Sequence, residues 1–91
     1  MYAVKPTGRF ARDLRRAEKR GYSIELLTEL VKKLASGTAL EKRYRDHPLK
    51  GKYSGCRECH ISPDWLLVYE IDEEARVLYL ARTGTHSDLF G

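Results

Sequence analysis

No apolar run in this sequence comes near the roughly 20 residues that a membrane-spanning helix needs, so a soluble chain with no membrane role is expected. The N-terminus, MYAVKPTGRF, lacks the apolar stretch of about 7 to 15 residues typical of a secretory signal, which points to the cytoplasm. Cysteine is scarce, with two residues, Cys56 and Cys59. In a cytosolic protein they are expected to be reduced and partly buried, because stable disulfides are rare there. No internal repeat or low-complexity segment occurs. At 91 residues there is no room for two lobes, and residues 1–91 are expected to form a single domain. Folding at this size buries only about 60 to 70% of the chain's surface. A hydrophobic content of 42% supplies a thin core.

Acidic residues are also in deficit, thirteen against seventeen Lys and Arg, giving a net charge of +4. The excess is uneven: Arg9, Arg12, Arg15, Arg16, Lys19 and Arg20 face only Asp13 and Glu18 within one segment. A polyanionic partner would use such a stripe. An ordinary solvated helix face has the same composition.

The pattern along the chain predicts an α+β fold. Tyr2 to Lys5, with Tyr and Val before Pro6, reads as a first strand. A helix begins near Thr7, with Phe10, Leu14 and Ala17 on one stripe and Gly21 at a left-handed C-terminus. Ser23 can cap a second helix carrying Ile24, Leu27, Leu30, Val31 and Leu34 on one face up to Gly37. The two make a helical hairpin. Residues 38–55, TALEKRYRDHPLKGKYSG, show no sustained period and carry Lys42, Arg43, Arg45, Lys50 and Lys52. A connection this long in a small domain is more often functional than filler. Three strands follow as a meander: Cys56 to Ile61, Trp65 to Ile71 and Arg76 to Thr83, with turns at Ser62-Pro63-Asp64 and Asp72-Glu73-Glu74.

Within the meander, CRECH has the spacing of a haem-attachment motif. Side chains alternate across a strand, so Cys56 and Cys59 fall on opposite faces, whereas haem attachment or a zinc knuckle needs both sulfurs at one centre. Neither haem nor metal is expected, and no other cofactor.

The three histidines are better placed. Antiparallel strand ends can gather His60, Asp64, Arg82 and His86 at one edge of the sheet, with His47 in the basic loop. Such a set suits RNA cleavage: the 2'-hydroxyl loses a proton as it attacks the phosphate, the 5'-oxygen gains one as it leaves, and the intermediate needs a cation. Imidazole can take either proton role near neutral pH. Taken singly, each of these residues is equally at home as a surface, turn or core residue.

The runs YRDHPLKG, RECHISPDWLLVY and RTGTHSDLF, between residues 44 and 90, resemble the YafQ branch of the RelE-type mRNA interferases, the toxins of type II toxin-antitoxin systems. The resemblance implies a RelE-like fold, with the first strand and the helical hairpin packed on a small, mainly antiparallel sheet completed by the meander. It implies a metal-independent endoribonuclease that cuts mRNA in the A site of the 70S ribosome, leaves a cyclic phosphate and inhibits translation. Its partners would be the ribosome, mRNA and a cognate antitoxin, through which the complex would bind operator DNA.

Carried over by motif, His47 and His60 take RNA-binding or catalytic roles, Asp64 is the general-base candidate and His86 the general acid. Arg82 stabilises phosphate charge. Trp65 stacks on the substrate or shapes the site, and Phe90 packs against a base or holds His86. Arg9, Arg12, Arg16, Lys19, Lys50 and Lys52 are the expected substrate-binding cations. Two other classes share features with this reading: a gyrase-inhibiting toxin of the ParE type, and a non-catalytic RNA-binding module.

Overall fold

The computed structural model describes all of residues 1–91. Strand β1 (Ala3–Pro6) leads into helices α1 (Gly8–Lys19) and α2 (Ile24–Ala35). The basic segment follows, with single 3-10 turns at Lys42–Tyr44 and Gly51–Tyr53 flanking a two-residue strand, β2 (His47–Pro48). The chain closes with β3 (Arg57–Ser62), β4 (Trp65–Asp72), β5 (Val77–Gly84) and a short helix, α3 (His86–Phe90). The five strands form one sheet in the order β1-β5-β4-β3-β2. Only the β1–β5 pair is parallel.

Local chemistry explains these boundaries. Thr7 caps α1 by accepting from the Phe10 N–H at 3.2 Å, and its hydroxyl lies 3.0 Å from the Leu80 carbonyl, so the helix starts pinned to β5. Gly21 then takes φ +79°, a left-handed conformation that costs glycine little, and turns the chain into α2. Ser23 occupies the N-cap position of α2 but makes no side-chain cap bond.

The sheet has two faces and two unequal cores. Against α1 and α2 lies the larger one, with Phe10, Ala17, Leu27, Leu30, Leu34, Cys59, Leu67, Tyr69, Leu78 and Leu80 among its members. On the other face Leu66 and Val68 pack with Tyr53 and Leu89 beneath α3 and the basic loop. Coverage on both faces explains why WLLVY is an unbroken apolar run instead of an alternating one; each of these residues is at most 4% exposed. Burying such side chains contributes about 1.5–3 kcal/mol apiece.

The α+β class, the helical hairpin and the meander are as expected from the sequence. Cys59 packs in the larger core and Cys56 beside the smaller one, so the two thiols do not converge. Burial holds both thiols above their ordinary pKa. Two elements were not anticipated. Strand β2 is too short to show a period, and α3 fills a segment expected simply to follow the last strand. Its signature was nonetheless present as Thr85-x-x-Asp88, a capping box in which each side chain bonds the other residue's backbone N–H.

Candidate active site

The candidate site lies on the smaller-core face of the sheet. Alternation along β3 puts Glu58 and His60 on one face. The β3–β4 turn presents Asp64, and His86 opens α3 directly after β5. His86 Nδ1 lies 2.6 Å from Asp64 Oδ1, and the same oxygen accepts the His86 backbone N–H at 3.0 Å. These bonds, the backbone one first, hold the Asp64 carboxyl below its ordinary pKa. An ionised carboxylate only accepts, so the paired Nδ1 bears hydrogen and Nε2 is left for chemistry. The His86 ring is 5.6 Å, centroid to centroid, from that of His60.

Behind His60 stands Glu58, a carboxylate only 5% exposed. Its Oε2 is 3.6 Å from His60 Nε2 and 3.3 Å from His47 Nε2. The other His47 nitrogen, Nδ1, lies 2.6 Å from the Arg45 carbonyl, to which it can only donate. Glu58, His60 and His86 place one ligand atom each within 4.8 Å of one another, a donor set that suits a divalent transition metal. The two cysteines take no part in it.

Arg82 is placed differently from the expected free phosphate ligand. It is 8% exposed; Nε donates to Asp13 Oδ2 at 2.6 Å, Nη2 to Asp13 Oδ1 at 3.2 Å and Nη1 to the Tyr53 hydroxyl at 3.2 Å. Three of the guanidinium's five N–H groups are thereby engaged. Asp13 also accepts the Thr83 N–H at 3.1 Å, so one carboxylate ties α1 to β5. Tyr53 stands edge-on to Phe90 at 5.6 Å, and Phe90 keeps 46% of its surface exposed beside the cleft.

Trp65 corrects an expectation. At 4% exposure, with Nε1 donating to Thr83 Oγ1 at 2.9 Å and its ring against Tyr22, it has no face free to stack on a base. Of its two expected roles, the shaping one remains: it anchors the start of β4 immediately after Asp64.

The stripe on α1 divides. Arg9, Arg12 and Lys19 are exposed and make no ion pair. Arg16 instead reaches Asp88 at 3.2 Å, and Arg20 grips the same carboxylate at 2.6 and 3.1 Å. Asp88 is the capping residue of α3, so two of the stripe's arginines hold the helix that carries His86. Gly84 permits this approach, since a Cβ there would lie 2.8 Å from Asp88 Oδ2. Lys50 and Lys52 are exposed in the loop, with Lys52 Nζ 5.3 Å above the Tyr53 ring.

Sequence reasoning missed Glu58, Asp13, Tyr53 and Asp88. Two of them left a trace. Glu58 sits two residues before His60 in a strand, and Asp13 lies on the apolar stripe between Phe10 and Ala17, where a charge must find a buried partner.

The sequence profile of a family described as "Bacterial toxin of type II toxin-antitoxin system, YafQ" matches residues 2–91. The chain belongs to this family. It is 37% identical over 89 residues to the mRNA interferase toxin YafQ of Escherichia coli K12, covering 97% of this chain and 95% of that one. Its fold matches YafQ in the crystal structure of the E. coli DinJ-YafQ complex with a TM-score of 0.91 at 35% identity, covering the whole of both chains. A metal-bound toxin from Helicobacter pylori superposes with a TM-score of 0.93 at 42% identity, over 99% of this chain and all of that one. The expected RelE-type architecture is thus the observed one.

Proposed function

We infer that this YafQ-family toxin is an endoribonuclease that cuts mRNA in the ribosomal A site by acid-base chemistry needing no metal. The observation that carries the reading is the pairing of two neighbouring imidazoles at one edge of the sheet, His86 oriented by Asp64 and His60 backed by Glu58. In this mechanism His60 takes the 2'-hydroxyl proton as O2' bonds to phosphorus. His86 Nε2 gives a proton to O5' as the P–O5' bond breaks, leaving a 2',3'-cyclic phosphate and a 5'-hydroxyl. Asp64, the base candidate from the sequence, serves in this mechanism as the carboxylate that orients His86, a role supported by its two hydrogen bonds to that residue. Arg82, held by Asp13, offers its remaining N–H groups to the phosphate from a fixed position. His47 extends the cleft toward the RNA, and Phe90 offers its exposed face to a base. The nucleophile is part of the substrate, so no water has to be activated by a metal.

A divalent transition metal on Glu58, His60 and His86 would occupy the nitrogens that move protons. Such an ion inhibits in this reading, and added Cu²⁺ should slow cleavage until EDTA restores it. A cognate antitoxin is the proposed protein partner, as DinJ is for the E. coli relative in their complex, with operator DNA bound through it. Cytoplasmic location follows from a ribosomal target; no helix is long and apolar enough to cross a membrane. Incubation with mRNA-programmed ribosomes and mapping of the new 5' ends tests the reading. Codon-specific ends support it. Blocked gyrase supercoiling without such ends would mean a ParE-like poison, and ribosome binding without either would mean a passive binder.

A further inference from the structure

Beside the catalytic cleft is a second hollow. Strand β2 pairs with β3 only at Glu58 and Arg57, so from Cys59 to Ser62 the outer edge of β3 has no strand beside it. The 3-10 turn Lys42–Tyr44 packs near that edge, and a cavity of about 410 Å³ remains between them. Arg43, Tyr44 and Arg45 line one side and His60, Ser62 and Pro63 the other. One nucleotide fits a space at this lower end of the usual range for ligand pockets.

The lining is cationic, and its key charge is uncommitted. Arg43 shares Glu41 with Lys33 and stacks over the Tyr44 ring at 4.7 Å, which orders it. Arg45 is exposed and makes no ion pair. Its backbone nonetheless takes the left-handed conformation, φ 50° and ψ 40°, which disfavours any residue with a Cβ. Bonds on both sides hold it there: its N–H donates to the Lys42 carbonyl at 3.0 Å, and its own carbonyl accepts from His47. Strain kept in place around a free arginine at the rim of a cleft is the pattern of a binding position.

His60 belongs to both spaces. A chain whose scissile phosphate lies between His60 and His86 continues past His60 into the hollow. We propose that the hollow holds the nucleotide whose 2'-hydroxyl attacks, with its own 5'-phosphate, one linkage upstream of the cut, on Arg45 and Arg43. This subsite rests on the nuclease reading and on His60 as the base.

The test uses programmed ribosomes and mRNAs carrying a single methylphosphonate, which removes one phosphate charge, either one linkage upstream or one downstream of the cleaved bond. A charge-assisted contact predicts that upstream neutralisation slows wild-type single-turnover cleavage by about ten- to a hundredfold. Downstream neutralisation has a smaller effect. The double variant Arg43→Gln, Arg45→Asn, in which asparagine tolerates the left-handed backbone, starts slower and is indifferent to the upstream charge. Its melting temperature is compared with that of wild type to show that it folds. Wild-type cleavage unaffected by upstream neutralisation, or a folded double variant still sensitive to it, overturns the subsite alone. If wild type leaves the unmodified mRNA uncut, the nuclease reading falls and the subsite with it.

Discussion

Two basic regions look interchangeable in the sequence and are not alike in the molecule. On α1, Arg16 and Arg20 converge on Asp88, and Asp13 on the same helix holds Arg82; two of the six cations of what reads as a docking stripe are internal bracing for the helix that carries His86. Among the lysines and arginines of the loop from Lys42 to Lys52, only Arg43 meets a carboxylate, while Lys42, Arg45, Lys50 and Lys52 make no ion pair. The loop also supplies His47 to Glu58 and Tyr53 to Arg82, so its free cations stand at the rim of the cleft. The difference teaches that a count of like charges says little about availability. Carboxylates decide which cations are free, and here Asp88 of α3 takes up Arg16 and Arg20 while Asp13 of α1 takes up Arg82.

The comparison breaks most visibly at Asp13. Asp13→Asn leaves the Arg82 guanidinium buried without its counter-charge, and removing one partner of a buried pair costs about 3–5 kcal/mol. Urea denaturation should show a loss of that order, with cleavage falling in whatever remains folded. A stability close to wild type would mean that α1 braces nothing.

Asp88→Asn is the next largest effect. Arg16 and Arg20 lose the charge of their shared anchor, and His86 loses its fixed position. Turnover by bound toxin should fall by roughly tenfold while the ribosome concentration needed stays near wild type, because losses in positioning appear in the chemical step. Acid provides a second check. The Arg20 contact depresses the Asp88 carboxyl below its ordinary 3.8. Its stabilising contribution is therefore complete above about pH 4 and is lost only as pH falls through the depressed folded-state value. The stability gap between wild type and Asp88→Asn should be constant above pH 4 and close in stronger acid. A gap that closed near neutrality would assign it to another group.

The smallest effects separate the two surfaces themselves. Neutralising Lys42, Lys50 and Lys52 should raise the ribosome concentration needed and flatten its salt dependence, since each lost phosphate contact releases roughly one counterion fewer. Neutralising Arg9, Arg12 and Lys19, with Arg16 left in place, should do the same to a lesser degree and leave turnover at saturating ribosome unchanged. Equal salt slopes for the two variants would erase the distinction between the regions.

Much of the fold was legible because helices α1 and α2 are long enough for a period to show and strands β3 to β5 stand out as runs bounded by turn residues. The two elements not foreseen, β2 and α3, are the shortest and are fixed by tertiary partners: β2 by Glu58 and Arg57, α3 by Thr85 and the arginines of α1. The histidines were legible as residue types suited to proton transfer; of the expected gathering of His60, Asp64, Arg82 and His86, the fold brings His60, Asp64 and His86 together, while Arg82 bonds to Asp13 and Tyr53. What holds them was not. Asp13 and Arg82 are 69 positions apart, and Arg20 and Asp88 are 68 apart. No local pattern announces such pairs, so Arg16 and Arg82 read as free cations when both have partners inside the fold. Asp64 and His86 show the same limit, since they are 22 positions apart and their contact is visible only in the fold.

In the proposed mechanism two histidines with ring centroids 5.6 Å apart move the protons of RNA cleavage. Single-turnover cleavage of mRNA on programmed ribosomes, with the ends mapped, tests it by comparing wild type with His86→Ala. His86 is half exposed and lies outside both cores, so the variant should fold and bind like wild type. Loss of the proton donor should slow cleavage by about 100- to 10,000-fold, while wild type leaves a cyclic phosphate on the upstream fragment. A folded His86→Ala protein that cuts at the wild-type rate would contradict the account.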